Sequence, residues 1–142
     1  MRVISLGTFD MLHVGHIKLF KRCRELAGKD EVIIGLNTDT FIHEYKGKLP
    51  IMSYDERKEI IELLDLVDKV IPNDQTIKGS SAIQTVIESG ANLIVVGSDW
   101  AKKDYPGQLG TTWDELQELG ISVCFVPYTA NISTTEIKRR LK

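Results

Sequence analysis

The sequence predicts an α/β protein built on a doubly wound, five-stranded parallel sheet, in a single domain spanning residues 1–142. Three observations carry this reading. Short, nearly continuous apolar runs alternate with segments of helical periodicity. Each run ends at a glycine or in a polar cluster, as buried strands do where they leave a sheet. A chain of 142 residues with 42% hydrophobic content suffices for one core of ordinary size.

The elements follow in order. Val3-Ile4-Ser5-Leu6 ends at Gly7 and reads as the first strand. Over 14–26 the apolar residues Ile17, Leu19, Phe20, Cys23 and Leu26 recur at helical spacing between charged ones, an amphipathic helix. The second strand is 31–36, and a strand-helix-strand order this tight implies a parallel pair with a right-handed crossover. Residues 37–50 show no regular period. Ser53 and Glu56 have capping-box spacing for a helix reaching Leu64. The third strand is 68–72 and a helix covers 80–89. The run 92–97 is the most strand-like in the chain, and its apolar continuity predicts a central strand covered on both faces. Residues 101–112 read as a long polar loop, 112–119 as a helix stopped by Gly120, and 121–126 as the fifth strand. Ser133 caps a closing helix over 134–141. The order is that of a Rossmann-like sheet, with no repeat or low-complexity linker.

Composition narrows the function. A net charge of −2 and a pI near 5.9 leave no basic footprint, so nucleic acid is not an expected partner, whereas a local basic pocket for a phosphate is compatible. The opening residues lack a signal peptide's apolar region, and no stretch approaches the roughly 18 apolar residues of a membrane span. A cytoplasmic protein without membrane contact is expected. Cys23 and Cys124 lack metal-ligand spacing and are read as small core residues; His43 reads as a surface residue.

Three polar clusters directly follow predicted strands, and in a doubly wound sheet such positions converge on one crevice. The first is Gly7-Thr8-Phe9-Asp10 with His13-Val14-Gly15-His16. Gly7 permits a tight turn, Gly15 a close approach of phosphate to the main chain, and both imidazoles flank a helix start whose free N–H groups favour an anion. The second is Asn131-Ile132-Ser133-Thr134-Thr135-Glu136-Ile137-Lys138, where hydroxyls and amides at a helix start suit phosphate oxygens, although Ser133 with Glu136 also reads as a plain capping box. The third is Lys46-Gly47-Lys48, followed by Ser53-Tyr54-Asp55-Glu56-Arg57.

His-x-Gly-His after Gly-x-Phe-Asp, the closing Ile-Ser-Thr-Thr, and a lysine ahead of Tyr-x-x-Arg together resemble the HxGH-motif nucleotidyltransferase superfamily, in its cytidylyltransferase family. With Gly97-Ser98-Asp99-Trp100, the sequence is most similar to glycerol-3-phosphate cytidylyltransferases, over nearly the whole chain. The resemblance implies transfer of a nucleotidyl group, CMP from CTP in the first reading, to a small phosphorylated acceptor such as glycerol 3-phosphate, releasing pyrophosphate. Another NTP, another sugar, polyol or cofactor phosphate, or a nucleotide-binding module with little turnover are the alternatives.

It also implies the roles. His13, His16 and Lys46 would be catalytic, Lys46 being preferred over Lys48. Gly7, Thr8, Phe9, Gly15, Asp99, Ile132, Ser133, Thr134 and Thr135 would hold the nucleotide. Asp10, Lys46, Arg57 and Trp100 would bind the acceptor. Asp10 could equally hold its loop through local hydrogen bonds, Trp100 could stack on a base or pack, and Trp113 is read as packing. Mg2+ would arrive with the NTP phosphates, with no dedicated protein metal site. Short enzymes of this superfamily commonly pair, so a homodimer is compatible, though no strip of sequence demands one. Two positions depart from the family's Arg-Thr-x-Gly-Ile-Ser-Thr-Thr: Tyr128 stands for the arginine, removing a fixed charge, and Asn131 for the glycine. Another cation must substitute, or triphosphate binding and turnover are weaker than the family norm.

Overall fold

The computed structural model describes residues 1–75, 81–127 and 134–140. Five parallel strands, β1 (Val3–Gly7), β2 (Val32–Asn37), β3 (Lys69–Asn73), β4 (Leu93–Gly97) and β5 (Ser122–Val126), form one sheet in the order β3-β2-β1-β4-β5. The helices are α1 (Val14–Ala27), α2 (Asp39–Lys46), α3 (Tyr54–Glu62), α4 (Ala82–Ser89), α5 (Tyr105–Leu109), α6 (Trp113–Glu118) and α7 (Thr134–Arg140), with a 3-10 turn over Ser98–Trp100.

The alternation of side chains along a strand explains why the inner strands β1, β2 and β4 are almost wholly apolar: both their faces are covered. Ile4, Ile33 and Ile94 point to the face closed by Ile83 and Val86 of α4, Tyr105 and Leu109 of α5, and Leu116 of α6. Val3, Val32 and Val95 point to the other face, against Cys23 and Ala27 of α1. Phe20 of α1 and Ile61 of α3 extend that layer over Ile34 and Leu36. A fully buried side chain of this size is worth about 1.5–3 kcal/mol, so each face is held by many such terms.

The chain order reverses between β1 and β4, whose register begins at Val3 opposite Leu93. A crevice opens at the carboxyl ends of strands at such a switch point. Gly7 and Gly97 end these two strands there. β4 is interior and covered on both faces, but β1 holds the middle of the sheet.

Several expectations change. Residues 37–50 contain α2, capped by the Thr38 side chain accepting from the Phe41 N–H and closed by left-handed Gly47. The expected polar loop over 101–112 contains α5, whose Tyr105 and Leu109 are buried. Trp113 is 53% exposed at the start of α6 instead of packing. Cys23 is buried, with its thiol pushed up to about 12 chiefly by burial, whereas Cys124 is only half-buried. His43 is exposed. Ser80 and Ser133, the expected ends of two helices, lie outside the described residues. No helix among the described residues is long and apolar enough to cross a membrane.

Candidate active site

The turn after β1 is shaped by aromatic packing. A Cβ on Gly7 would stand 2.8 Å from the Phe9 ring, so only glycine fits beneath it. Phe9 and Met11 both adopt left-handed backbone, with φ of 49° and 50°, a conformation that costs a non-glycine residue about 1–3 kcal/mol. Burial of the Phe9 ring, edge-on to Phe20 at 5.0 Å and to His16 at 5.5 Å, offsets that strain. Phe9 therefore shapes the loop from beneath. Asp10 anchors it sideways: its carboxylate accepts the N–H groups of Ile51 at 2.7 Å and Met52 at 2.9 Å.

His13 and His16 form the cap of α1. His13 Nδ1 accepts the Gly15 N–H at 3.0 Å, and His16 Nδ1 accepts the His13 N–H at 3.1 Å, a capping box made of two imidazoles in place of hydroxyl and carboxylate. A ring nitrogen that accepts carries no proton, so in the neutral rings the proton sits on Nε2 and both rings present a donor away from the helix. The rings stack at 3.8 Å. Burial, with the like charge of His13 adding to it and Asp10 opposing, pushes His16 down to about 4; burial also lowers His13. At neutral pH the pair is uncharged. Gly15 thus gives its N–H to the cap.

A cavity of about 330 Å3 lies against this turn, lined by Thr8, His16, Lys46, Lys48, Thr135 and Lys138 among others. Three lysines face it, and Asp10 is the single acid among its described lining residues, so the cavity attracts a polyanion. Lys138 ends the second polar cluster of the sequence but is given no role there. Its position, three residues after Thr135, places both on one face of α7. A second cavity, of about 310 Å3, is lined by Asn37, Asn73, Gln75, Trp100, Tyr105 and Gln108 among others. Thr8 and Lys46 line both cavities.

Lys46 ends α2 beside the left-handed Gly47, whose N–H bonds the His43 carbonyl at 2.8 Å. Trp100 is half-buried, 5.5 Å from the Tyr105 ring, with Lys103 Nζ 5.0 Å above it. Packing and cavity lining therefore coincide in this residue. Asp99 is exposed in the 3-10 turn and is not among the residues lining either cavity. Ile132, Ser133, Tyr128 and Asn131 lie outside the described residues; Thr134 opens α7.

Arg57 is the expectation that the geometry recasts most. It is 1% exposed. Its NH1 donates to the carbonyls of Thr8 at 2.8 Å and Asn37 at 2.9 Å, Nε to that of Met52 at 3.0 Å, and NH2 to Asp39 at 2.7 Å. The guanidinium ties the ends of β1 and β2 to the start of α3 from behind, with its fork committed to the protein.

No group of three or more His, Cys, Asp or Glu among the described residues could hold a metal ion. Asp10 is the one carboxylate among the described residues lining the first cavity, so a cation there would be carried mainly on the phosphate oxygens of a ligand.

Comparison with known proteins identifies the family. The family model for cytidylyltransferase-like proteins matches residues 4–140. The chain is 39% identical to a glycerol-3-phosphate cytidylyltransferase of Bacillus spizizenii over 97% of its length and 95% of the relative's, and 36% identical to that of Bacillus subtilis over 99% and 96%. Among solved structures, a lipopolysaccharide core biosynthesis protein from Thermoplasma volcanium superposes with a TM-score of 0.67 at 29% identity, covering 91% of this chain and 96% of that one.

Proposed function

The chain is a nucleotidyltransferase belonging to the cytidylyltransferase-like family, and on that premise we propose that it transfers CMP from CTP to glycerol 3-phosphate with release of pyrophosphate. One observation carries the assignment of parts: a lysine-lined cavity and an amide-lined cavity meet at Thr8 and Lys46. The first suits a triphosphate and the second a hydroxyl-bearing acceptor. Their junction is where an acceptor phosphate and the α-phosphate would come together.

In the reaction an acceptor phosphate oxygen forms a bond to the α-phosphorus, and the bond from that phosphorus to the oxygen bridging the β-phosphate breaks. The bridging oxygen leaves with pyrophosphate and carries the developing charge. No covalent enzyme intermediate is required, so rate comes from alignment and charge stabilisation. The Nε2–H groups of His13 and His16 supply donors to the departing oxygens. Lys46 follows the phosphoryl group between cavities as a mobile point charge. Lys48 and Lys138 hold the outer phosphates, with Lys138 substituting for the charge absent at Tyr128. Mg2+ bound with the nucleotide would neutralise phosphate charge.

A larger acceptor, a sugar or longer polyol phosphate, is a second reading, supported by α5. That helix is built into the core through Tyr105 and Leu109 and lends Gln108 to the second cavity. Pyrophosphate release measured with each of four NTPs against glycerol 3-phosphate and longer polyol and sugar phosphates tests both readings. CTP with glycerol 3-phosphate is expected to give the highest kcat/KM; a uniform absence of release would overturn the proposal.

A further inference from the structure

A line of side chains runs beneath the junction of the two cavities. Thr85 Oγ, on α4, donates to Asn73 Oδ1 at 2.9 Å. Asn73 Nδ2, at the end of β3, donates to Asn37 Oδ1 at 2.8 Å. Asn37 Nδ2, at the end of β2, donates to Thr8 Oγ at 3.1 Å. Each amide accepts on its oxygen and donates from its nitrogen, so every bond in the line has the same direction. Asn73 is 3% exposed, which makes its two bonds costly to break.

The direction matters at the far end. A hydroxyl has one proton and accepts on its oxygen. Because Thr8 Oγ already accepts from Asn37, its own proton is left to be given elsewhere. Thr8 lines both cavities, and its carbonyl is pinned by Arg57 NH1 at 2.8 Å, so the residue cannot swing away without breaking that bond. We infer that Thr85, Asn73 and Asn37 are positioning residues whose one-way hydrogen-bond line sets the Thr8 hydroxyl as a donor toward the phosphate at the junction. The inference rests on the phosphoryl-transfer reading of the site. Reversing the line would turn the Thr8 proton inward to Asn37 and remove a preorganised donor from the reacting centre.

Asn73→Asp tests the direction with an almost isosteric change. A carboxylate still accepts from Thr85 but has no proton for Asn37. The Asn37 amide then turns its nitrogen to the carboxylate and its oxygen to Thr8, which captures the Thr8 proton. Were the line to run the other way in the native protein, the introduced carboxylate would still accept from Asn37 and Thr8 would be unaffected. The expected result is a fall in kcat/KM for pyrophosphate release of about tenfold or more. Thr85→Ser retains activity and Thr85→Val loses part of it.

Non-additivity separates positioning from mere structure. Thr8→Val alone lowers kcat/KM, and adding Asn73→Asp to it costs nothing further. Two losses that multiply, or an Asn73→Asp protein with wild-type kcat/KM, overturn the inference. Should Asn73→Asp fail to fold, as judged by its thermal transition, the same cycle is run with Thr85→Val. Wild-type turnover is measured first: its absence with every acceptor sinks the functional reading alone. The line is then read by CTP titration calorimetry, where Asn73→Asp and Thr8→Val weaken binding without adding to one another if it operates, and Asn73→Asp binds as wild type if it does not.

Discussion

Neutrality of His16 makes the stability of this protein depend on pH in a calculable way. The ring is held at about 4 instead of 6.5, first by burial and then by the neighbouring His13. As pH falls below 6.5 the unfolded chain takes up this proton while the folded protein does not. Stability is therefore intact above about pH 6.5 and is lost as pH falls toward 4. At about 1.4 kcal/mol for each tenfold difference in proton affinity, the loss at pH 4 is about 3 kcal/mol. His16→Gln removes the titration and retains a side-chain acceptor for the His13 N–H. Urea denaturation of both proteins at pH 7, 5.5 and 4 isolates the effect, since all other groups titrate in both. The wild type is expected to lose about 3 kcal/mol relative to the variant between pH 7 and pH 4. A difference that stays constant across this range would refute the argument that burial holds the ring neutral. The same reasoning predicts proton uptake when CTP binds below pH 6, because the triphosphate charge restores affinity for the proton; calorimetry in buffers of different ionisation enthalpy reads it.

Three more outcomes are expected. His13→Ala and His16→Ala each lower the kcat for pyrophosphate release on the order of 100-fold to 1,000-fold, with the circular dichroism spectrum unchanged; near-normal turnover in a folded variant would remove that histidine from the mechanism. Lys138→Met raises KM for CTP about tenfold, and Tyr128→Arg in the same chain restores it, as steady-state kinetics over a CTP series would show; failure of the second change to rescue would mean that the two positions do not serve the same phosphates. Arg57→Met lowers stability by about 3 kcal/mol, because it strands three carbonyls and the Asp39 carboxylate, and its thermal transition checks this; an unchanged transition would argue that its bonds to Thr8, Asn37, Met52 and Asp39 contribute little.

The inner strands β1, β2 and β4 were legible in the sequence because both their faces are covered and they write nearly continuous apolar runs, whereas the edge strands β3, with Lys69 and Pro72 exposed, and β5, with Ser122 exposed, carry a shorter apolar signal. α1 was legible because fourteen residues allow the helical period to repeat. α2 buries only Ile42, too little for a period to be visible, and its signature is confined to the ends: Thr38 as cap and Gly47 as stop. α5 is five residues long, and its lysine-rich approach gives it the composition of a loop. Here too the ends were informative, Asp104 capping the Gly107 N–H and Gly110 closing the turn. At the site, the motif residues were found because their types are chemically unusual at a helix start. What they do locally was not. That His13 and His16 cap the helix through Nδ1 depends on ring orientation, and that Arg57 faces inward depends on which segments happen to surround it. Lys138, though within the closing cluster, was given no role for a simpler reason: a basic residue on such a helix is ordinarily solvated, and its place along the cavity distinguishes it.

The order of the strands has a consequence for biosynthesis. The turn from Gly7 to His16 leaves the ribosome well before β4, yet its strand lies in the middle of the sheet and takes β4, beginning at Leu93, as one of its two neighbours. The cavity proposed for the triphosphate further needs Thr135 and Lys138 from α7. Pairings this distant in sequence form late and slowly. A nascent chain carries its two histidines without the finished pocket until Thr135 and Lys138 have been made. A nucleotide that binds only the finished pocket then adds its binding free energy to the completed fold, so that filling the site and closing the sheet are thermodynamically one event.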